Sequence, residues 1–277
     1  MRIDAHQHFW RIADRSGSWP PADLAVLHRD FGPDDLAPLL ADAGIDATVL
    51  VQSLDREADT AFMLALAAQH PFIKGVVGWT DLKAPEAPTA IARLARDPNL
   101  KGLRPMLQDI ADVAWVDDRA LAPALAAMIA HDLTFDALVL PRHLPHLLAV
   151  AERHPDLRIV IDHGAKPAIR EERRFDDWHR AMGDLAARPN VACKLSGLLT
   201  EADGSGVAVR RYADALVSLF GPDRLIWGSD WPVLNLAGTY PDWLDLCRTI
   251  VPPAHHDAVF GENAAAIYRL PDLGADR

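Results

Sequence analysis

His6 and His8 stand two residues apart in the opening run Arg2-Ile3-Asp4-Ala5-His6-Gln7-His8-Phe9-Trp10. Side chains alternate faces along a strand, so both imidazoles are expected to point the same way, roughly 7 Å apart along the backbone. Two imidazoles at that spacing can share one metal ion or present paired proton carriers to one ligand. Solvated surface histidines are the plain alternative. Against it, Ile3 and Ala5 before the pair and Phe9-Trp10 after it mark a buried strand. A His-x-His alone is a weak motif. Its meaning depends on which acids and cations the rest of the chain carries to the same place.

The elements that must position these residues repeat along the chain. Short apolar or β-branched runs occur at Ile3–His6, Ala47–Gln52, Ile73–Trp79, Leu100–Arg104, Leu133–Leu138, Arg158–His163, Asn190–Leu195 and Leu225–Asp230. Helical patterns lie between them. Leu36, Leu39, Leu40 and Ala43 share one face after Pro33 and stop at Gly44. Ala213, Leu216, Val217 and Phe220 share another and stop at Gly221-Pro222, and the segments Ala120–Ala130 and Leu144–His154 behave similarly. Eight strands alternating with helices predict an α/β fold, a (β/α)8 barrel. No linker or charge block divides residues 1–277, which reads as a single domain. An open doubly wound sheet would carry a glycine-rich phosphate turn after its first strand, where this chain has His-Gln-His-Phe-Trp. Irregular segments at Ala13–Phe31, Leu107–Val116 and Thr200–Gly206 follow strands 1, 4 and 7. In a barrel such loops line the mouth.

The strands end in polar residues that a purely structural strand does not need: His6 and His8, Gln52, Trp79 followed by Asp81, Arg104, Asp136, His163, Lys194 with Ser196, and Asp230. Small residues sit two positions before several of them, at Gly102, Ala192 and Gly228, leaving room above. A core ion pair is at least as good a reading for Lys194 and Asp136 taken singly. It fails for the set. Asp230, in Ile226-Trp-Gly-Ser-Asp-Trp-Pro, needs a cation, a metal or several N–H donors if buried, and facing His6 and His8 it can bind metal or act as a general base. His163 emerges from the buried run Ile159-Val-Ile-Asp. His28 and His143 are expected on the mouth side, whereas His70, His131, His154, His179, His255 and His256 read as surface.

Composition bounds the function. The balance of 28 Lys and Arg against 39 Asp and Glu gives a formal net charge of −11, which argues against nucleic acid and anionic membranes as partners. Cys193 and Cys247 form no metal or redox spacing, and no apolar run reaches membrane-spanning length. A soluble cytoplasmic protein is expected.

Taken in order, Asp4-Ala-His-Gln-His-Phe-Trp, Val76-Val-Gly-Trp, Leu103-Arg, Pro141-Arg-His-Leu-Pro, Ile161-Asp-His-Gly-Ala-Lys-Pro, Cys193-Lys-Leu-Ser-Gly-Leu, Trp227-Gly-Ser-Asp-Trp-Pro and Phe260-Gly-Glu-Asn-Ala resemble the amidohydrolase superfamily (amidohydrolase family 2). The resemblance runs nearly end to end and is to the sugar-lactone hydrolase branch, that of L-fuconolactonases and L-rhamnonolactonases. It implies a distorted TIM barrel and hydrolysis of an aldonolactone such as L-fuconolactone or L-rhamnonolactone. In the wider superfamily the metal ligands come from the strand-1 His-x-His, a Lys or His on strand 5, a His on strand 6 and an Asp on strand 8. His6, His8, His163 and Asp230 match, but strand 5 offers only Asp136. The resemblance therefore implies at most one divalent ion, zinc or manganese, on His6, His8 and Asp230 with His163 as an optional fourth ligand, and no organic cofactor.

Lactone hydrolysis needs an activated water, a polarised carbonyl and a proton for the departing ring oxygen. Asp230 is the expected base, with His6 and His8 stabilising the oxyanion directly or through one ion. His163 and Arg104 would hold the carbonyl or a hydroxyl. Trp79 and Trp231 would offer apolar faces to the sugar ring, and Gln52, Lys166 and His143 polar contacts. Two other functions compete: a metal-dependent non-oxidative decarboxylase, kept open by Arg104, and a non-catalytic sugar-acid binding protein. Four intact polar residues at His6, His8, His163 and Asp230 speak against the last.

Overall fold

The computed structural model describes residues 1–271 apart from 16–17, 172–173 and 203–205. Eight strands, Ile3–Gln7 (β1), Ala47–Val51 (β2), Ile73–Gly78 (β3), Leu100–Leu103 (β4), Thr134–Ala137 (β5), Ile159–Ile161 (β6), Val191–Leu195 (β7) and Leu225–Trp227 (β8), form one sheet in sequential order with every pair parallel. β1 and β8 meet at the mouth, where the Asp230 N–H donates to the His6 carbonyl at 2.8 Å and the His8 N–H to that of Trp231 at 2.8 Å. The result is a nearly closed (β/α)8 barrel, as the strand count predicts. The α-helices between and after the strands are Pro33–Ala43 (α1), Glu57–Gln69 (α2), Ala87–Leu94 (α3), Ala122–Ala130 (α4), Leu144–Arg153 (α5), Phe175–Ala186 (α6), Leu198–Glu201 (α7), Gly206–Phe220 (α8), Tyr240–Ile250 (α9) and Asn263–Tyr268 (α10).

Local chemistry sets the element ends. α1 begins with Pro33 at its first position, where no N–H is needed, and Asp35 reaches back to the Gly32 N–H at 2.9 Å. It stops at Gly44, whose φ of 65° suits a residue without Cβ. Leu36 and Leu40 are its buried face.

The first strand departs from strict alternation. Ile3 pairs with Ala47 and Asp4 with Thr48, but Gln7 pairs with Leu50, so β1 spends one extra residue in a bulge. Ile3 and Ala5 face the barrel interior with Val49, Val77, Val160 and Ile226, while Asp4 turns toward Tyr240 of α9. Strict alternation would send His6 outward with Asp4. The bulge returns it to the interior, so His6 and His8 share a face as expected, and the bulge decides that this face is the inner one. Beneath them α10 supplies Ala264 and Tyr268, which with Leu270 pack against the same interior residues.

Among the predicted irregular segments, Ala13–Phe31 closes on itself through paired backbone bonds between Trp10 and Phe31, with residues 16–17 outside the described ones. Leu107–Val116 contains short helical turns. Thr200 falls in α7 and Gly206 starts α8; residues 203–205 of that predicted loop lie outside the described residues. No helix among the described residues is long and apolar enough to cross a membrane.

Candidate active site

Four side chains converge where β1, β6 and β8 open. Nε2 of His6 lies 3.2 Å from Nε2 of His8, and Nε2 of His8 lies 3.3 Å from Oδ1 of Asp230. The same Asp230 oxygen is 3.7 Å from His6 Nε2 and 3.8 Å from His163 Nε2. His8 donates its Nδ1–H to the Val51 carbonyl at 2.7 Å, which leaves its Nε2 lone pair aimed at the cluster. His163 Nδ1 sits 2.8 Å from Ser196 Oγ.

The backbone under two of these residues is strained. Asp230 has φ 59° and His163 has φ 54°, and the left-handed run continues through Gly164, Ala165 and Lys166. Such a conformation costs an L-residue roughly 1–2 kcal/mol and persists only where surrounding contacts impose it. Those contacts are visible. Asp4 accepts from the Ser229 N–H at 2.8 Å and from the Tyr240 hydroxyl at 3.1 Å, pinning the chain just before Asp230. Gly197 lets the His163 ring come close: a Cβ there would lie 2.4 Å from His163 Nδ1. At Gly228 it would lie 2.7 Å from the His6 Cβ, so the small residues two positions below the strand ends do make room.

Deeper in the barrel lies a second charged group. Lys194 Nζ donates to Asp136 Oδ2 at 2.6 Å and stands 2.9 Å from Asp162 Oδ1 and 3.0 Å from His6 Nδ1. Tyr268 also donates to Asp136 Oδ2 at 2.6 Å, and Thr134 to its other oxygen at 2.9 Å. Arg104 donates to Asp162 Oδ2 at 3.1 Å and to the Gln52 carbonyl. All of these side chains are buried.

Burial sets the electrostatics, and neighbouring charges modify it. Burial pushes His163 down to about 4, with Asp230 and Asp162 pulling the other way. Burial and the Lys194 ammonium hold His6 well below its ordinary value. Burial alone would lift Asp230, but the His163, His8 and His6 imidazoles around it outweigh burial and keep the carboxyl below the carboxylate range. Asp162 is held well down in the same way, against burial, by Lys194, His6 and Arg104. Burial raises Asp136, with Lys194 opposing and Asp162 reinforcing the rise, so Asp162 is the firmer anion of the pair. Neutral imidazoles beside an ionised carboxylate are the state required of metal ligands or of a base and its partners.

Above the cluster opens a cavity of about 440 Å³ reached by His8, Arg104, His163 and Asp230. Its lining includes the polar Gln108, Asp109, Lys166 and Glu201 and the apolar Trp19, Met106, Leu138, Val233 and Leu236. Of the expected substrate contacts, Arg104 and Lys166 line it; Lys166 bonds Gln108 Oε1 at 3.1 Å. Gln52 does not. Its amide donates to the Arg104 carbonyl at 2.6 Å and ties β2 to the end of β4. His143 is buried outside the lining and accepts the Leu140 N–H at 2.9 Å. Trp231 packs edge-on against Phe9 and Phe31, and half-buried Trp79 is not part of the wall either. His28 bonds the Pro20 carbonyl instead. The aromatic face at the mouth is Trp19, from the irregular segment after β1. Asp162, Asp4 and Tyr268 join the site without having been singled out for it, beside Ser196. Asp162 hides in an apolar strand run, and Tyr268 comes from the far end of the chain; only Ser196, flagged at a strand end, had a usable signal.

The donor set fits one divalent ion. Ligand atoms about 2.0–2.1 Å from a tetrahedral zinc lie roughly 3.4 Å from one another. His6 Nε2, His8 Nε2 and Asp230 Oδ1 are 3.2 to 3.7 Å apart. His163 Nε2 is the next nearest donor. The cavity side remains open for a water or a substrate oxygen, as a catalytic site requires.

Comparison with known proteins shows the family. The chain is 54% identical over its whole length to an L-fucono-1,5-lactonase of Burkholderia ambifaria, covering 98% of that protein. It is 41% identical over 98% of its length to an L-fucono-1,5-lactonase of Burkholderia multivorans, covering 97% of it. The crystal structure of a Burkholderia multivorans amidohydrolase with bound zinc superposes with a TM-score of 0.91 at 40% identity, covering 98% of this chain and all of that one. The amidohydrolase family profile matches residues 3–270, and the chain belongs to that family.

Proposed function

We propose that the chain is a hydrolase that opens a sugar lactone, an aldonolactone such as L-fucono-1,5-lactone, to the sugar acid. The observation that carries this reading is the convergence of an ionised Asp230 with His8 and His163 at a cavity of mixed polar and apolar lining, with His6 buried directly beneath. Both L-fucono-1,5-lactonase relatives support it. Asp230 takes a proton from the attacking water as the new C–O bond forms. The negative charge then develops on the carbonyl oxygen, where Arg104 can meet it. As the ring C–O bond breaks, the proton held by Asp230, or one carried by His163, passes to the leaving oxygen, which departs as a hydroxyl. Lys166, Gln108 and Glu201 are placed to bind hydroxyls, and Trp19, Leu138 and Val233 to cover the apolar face of the ring.

His6, His8 and Asp230, with His163 beside them, would hold a single zinc or manganese ion, which when bound supplies carbonyl polarisation and a more acidic water. The whole chain acts as one barrel domain in the cytoplasm on a small-molecule lactone, with neither nucleic acid nor membrane as partner. A net charge of −11 and the lack of a membrane-crossing helix among the described residues support this.

The test is acid release, followed with a pH indicator, over a set of five- and six-membered aldonolactones. It is run before and after exhaustive chelation. Hydrolysis of at least one 6-deoxy aldonolactone is expected, with activity lost on chelation and restored by zinc or manganese. Carbon dioxide release from an aromatic acid in place of lactone opening would favour the decarboxylase, and inertness toward every lactone would end the hydrolase reading.

A further inference from the structure

Lys194 is a cation with no solvent exposure, sealed inside the barrel beneath the cluster. Its ammonium touches atoms from three other strands or strand ends: Asp136 of β5, Asp162 after β6 and His6 of β1. Lys194, Asp136 and Asp162 are each fully inaccessible to solvent. Buried carboxylates at this depth demand positive charge, since each left alone would cost several kcal/mol.

The contact with Asp162 has an unusual character. Oδ1 of Asp162 lies 2.9 Å from Lys194 Nζ and 3.4 Å from His6 Nδ1, and neither is aimed at it with hydrogen-bond geometry. The ammonium, the nearer of the two, holds this oxygen by charge and proximity, as a spherical cation would. The charge count points the same way. Asp136, Asp162 and Asp230 bring three negative charges, and Lys194 and Arg104 bring two positive ones. One net negative charge is left, and it lies at Asp230, on the mouth side, next to His6 Nε2 and His8 Nε2.

We infer that Lys194 is a positioning residue whose ammonium serves as a resident cation between Asp136 and Asp162, confining divalent-ion binding to a single ion on the His6–His8–Asp230 side. Without it, two anionic carboxylates would face one another around a space freed by the side chain. That is a set of hard oxygen donors, which suits a divalent cation. Lys194 thus closes a second metal position with a covalently attached charge that does not exchange with solvent.

The inference rests on the single-ion reading above only for the first ion, and the readout is metal content with thermal stability, independent of lactone turnover. Wild-type protein, Lys194→Ala and the charge-balanced double variant Lys194→Ala/Asp136→Asn are equilibrated with manganese or zinc, desalted, and assayed for metal per chain and for Tm. The single variant is expected to hold about one equivalent more than wild type and to gain at least about 10 °C in Tm on adding the ion. The double variant, with one carboxylate fewer, should return to the wild-type equivalents and show no such rescue. Equal metal content in wild type and Lys194→Ala overturns the inference, whatever the wild-type number is. So does a Lys194→Ala or Lys194→Gln chain that stays unfolded at millimolar divalent ion, because a positive charge alone would then not replace the lysine. A wild type without metal would count against the single-ion reading, while the difference of one equivalent would still decide the role of Lys194.

Discussion

The barrel interior holds two adjoining polar clusters built on opposite terms. In the deep one, Asp136 accepts from Tyr268, Thr134 and Lys194, Arg104 and Lys194 flank Asp162, and solvent reaches none of the acids. Its strands run on regular backbone. In the upper one, Asp230 and His163 sit on left-handed backbone, their polar atoms look into the cavity, and Asp230 faces imidazoles rather than full cations. Satisfied charge on relaxed backbone marks a supporting structure. Strained backbone carrying unsatisfied charge marks the place where binding and chemistry are expected.

Breaking the upper cluster should abolish turnover and spare the fold. Asp230→Asn is expected to lower kcat by about 10³, the order assigned to a lost general base, with Tm unchanged or slightly raised. Steady-state kinetics beside a thermal melt would show it. Near-normal activity in this variant would erase the distinction between the two clusters.

The upper cluster should also register acid first. His163 has its folded pKa lowered to about 4 from an ordinary 6.5, so the native state binds fewer protons there than the unfolded chain. The stabilisation is therefore fully present above about pH 6.5 and is lost as pH falls from 6.5 toward 4, amounting to roughly 3 kcal/mol. His163→Gln should flatten that part of the stability–pH curve in urea melts. An unchanged slope would mean that His163 is not held neutral by the fold.

Arg104 bridges the two clusters, and its substitution sharpens the boundary. Arg104→Met should reduce kcat/KM by about tenfold, near 1.4 kcal/mol, through lost contact with substrate or transition state. Because it also braces Asp162 and the Gln52 carbonyl, some loss of stability is expected with it. A stability loss without the kinetic one would assign Arg104 wholly to the deep cluster. Tyr268→Phe, which removes one donor from Asp136, should have the smallest effect. About 1.5 kcal/mol of stability should go, with kcat changed less than twofold.

Much of this was legible from the chain alone. All eight strands were readable from short β-branched and apolar runs, and α1 from Pro33, its leucine face and Gly44, because period and capping chemistry are local properties. His6, His8, His163 and Asp230 were readable because they end strands, and a parallel barrel puts all such ends at one mouth. The substrate wall was less so. Trp79 and Trp231 were expected there and Trp19 was not, since which face an aromatic presents after a strand end depends on loop packing that no local pattern encodes.

The sequence by itself determined the barrel, the family and the identity of the four upper residues, because each rests on periodicity, order and residue type. The tertiary structure decided how those residues meet. A one-residue bulge in β1 turns His6 inward where alternation would turn it out, and left-handed backbone at His163 and Asp230 aims both into the cavity. It also decided the fate of Lys194, which in the sequence was equally a core ion pair or a functional cation. Only the closure of eight strands brings Asp136, Asp162 and His6 around that ammonium, from positions up to 188 residues away along the chain.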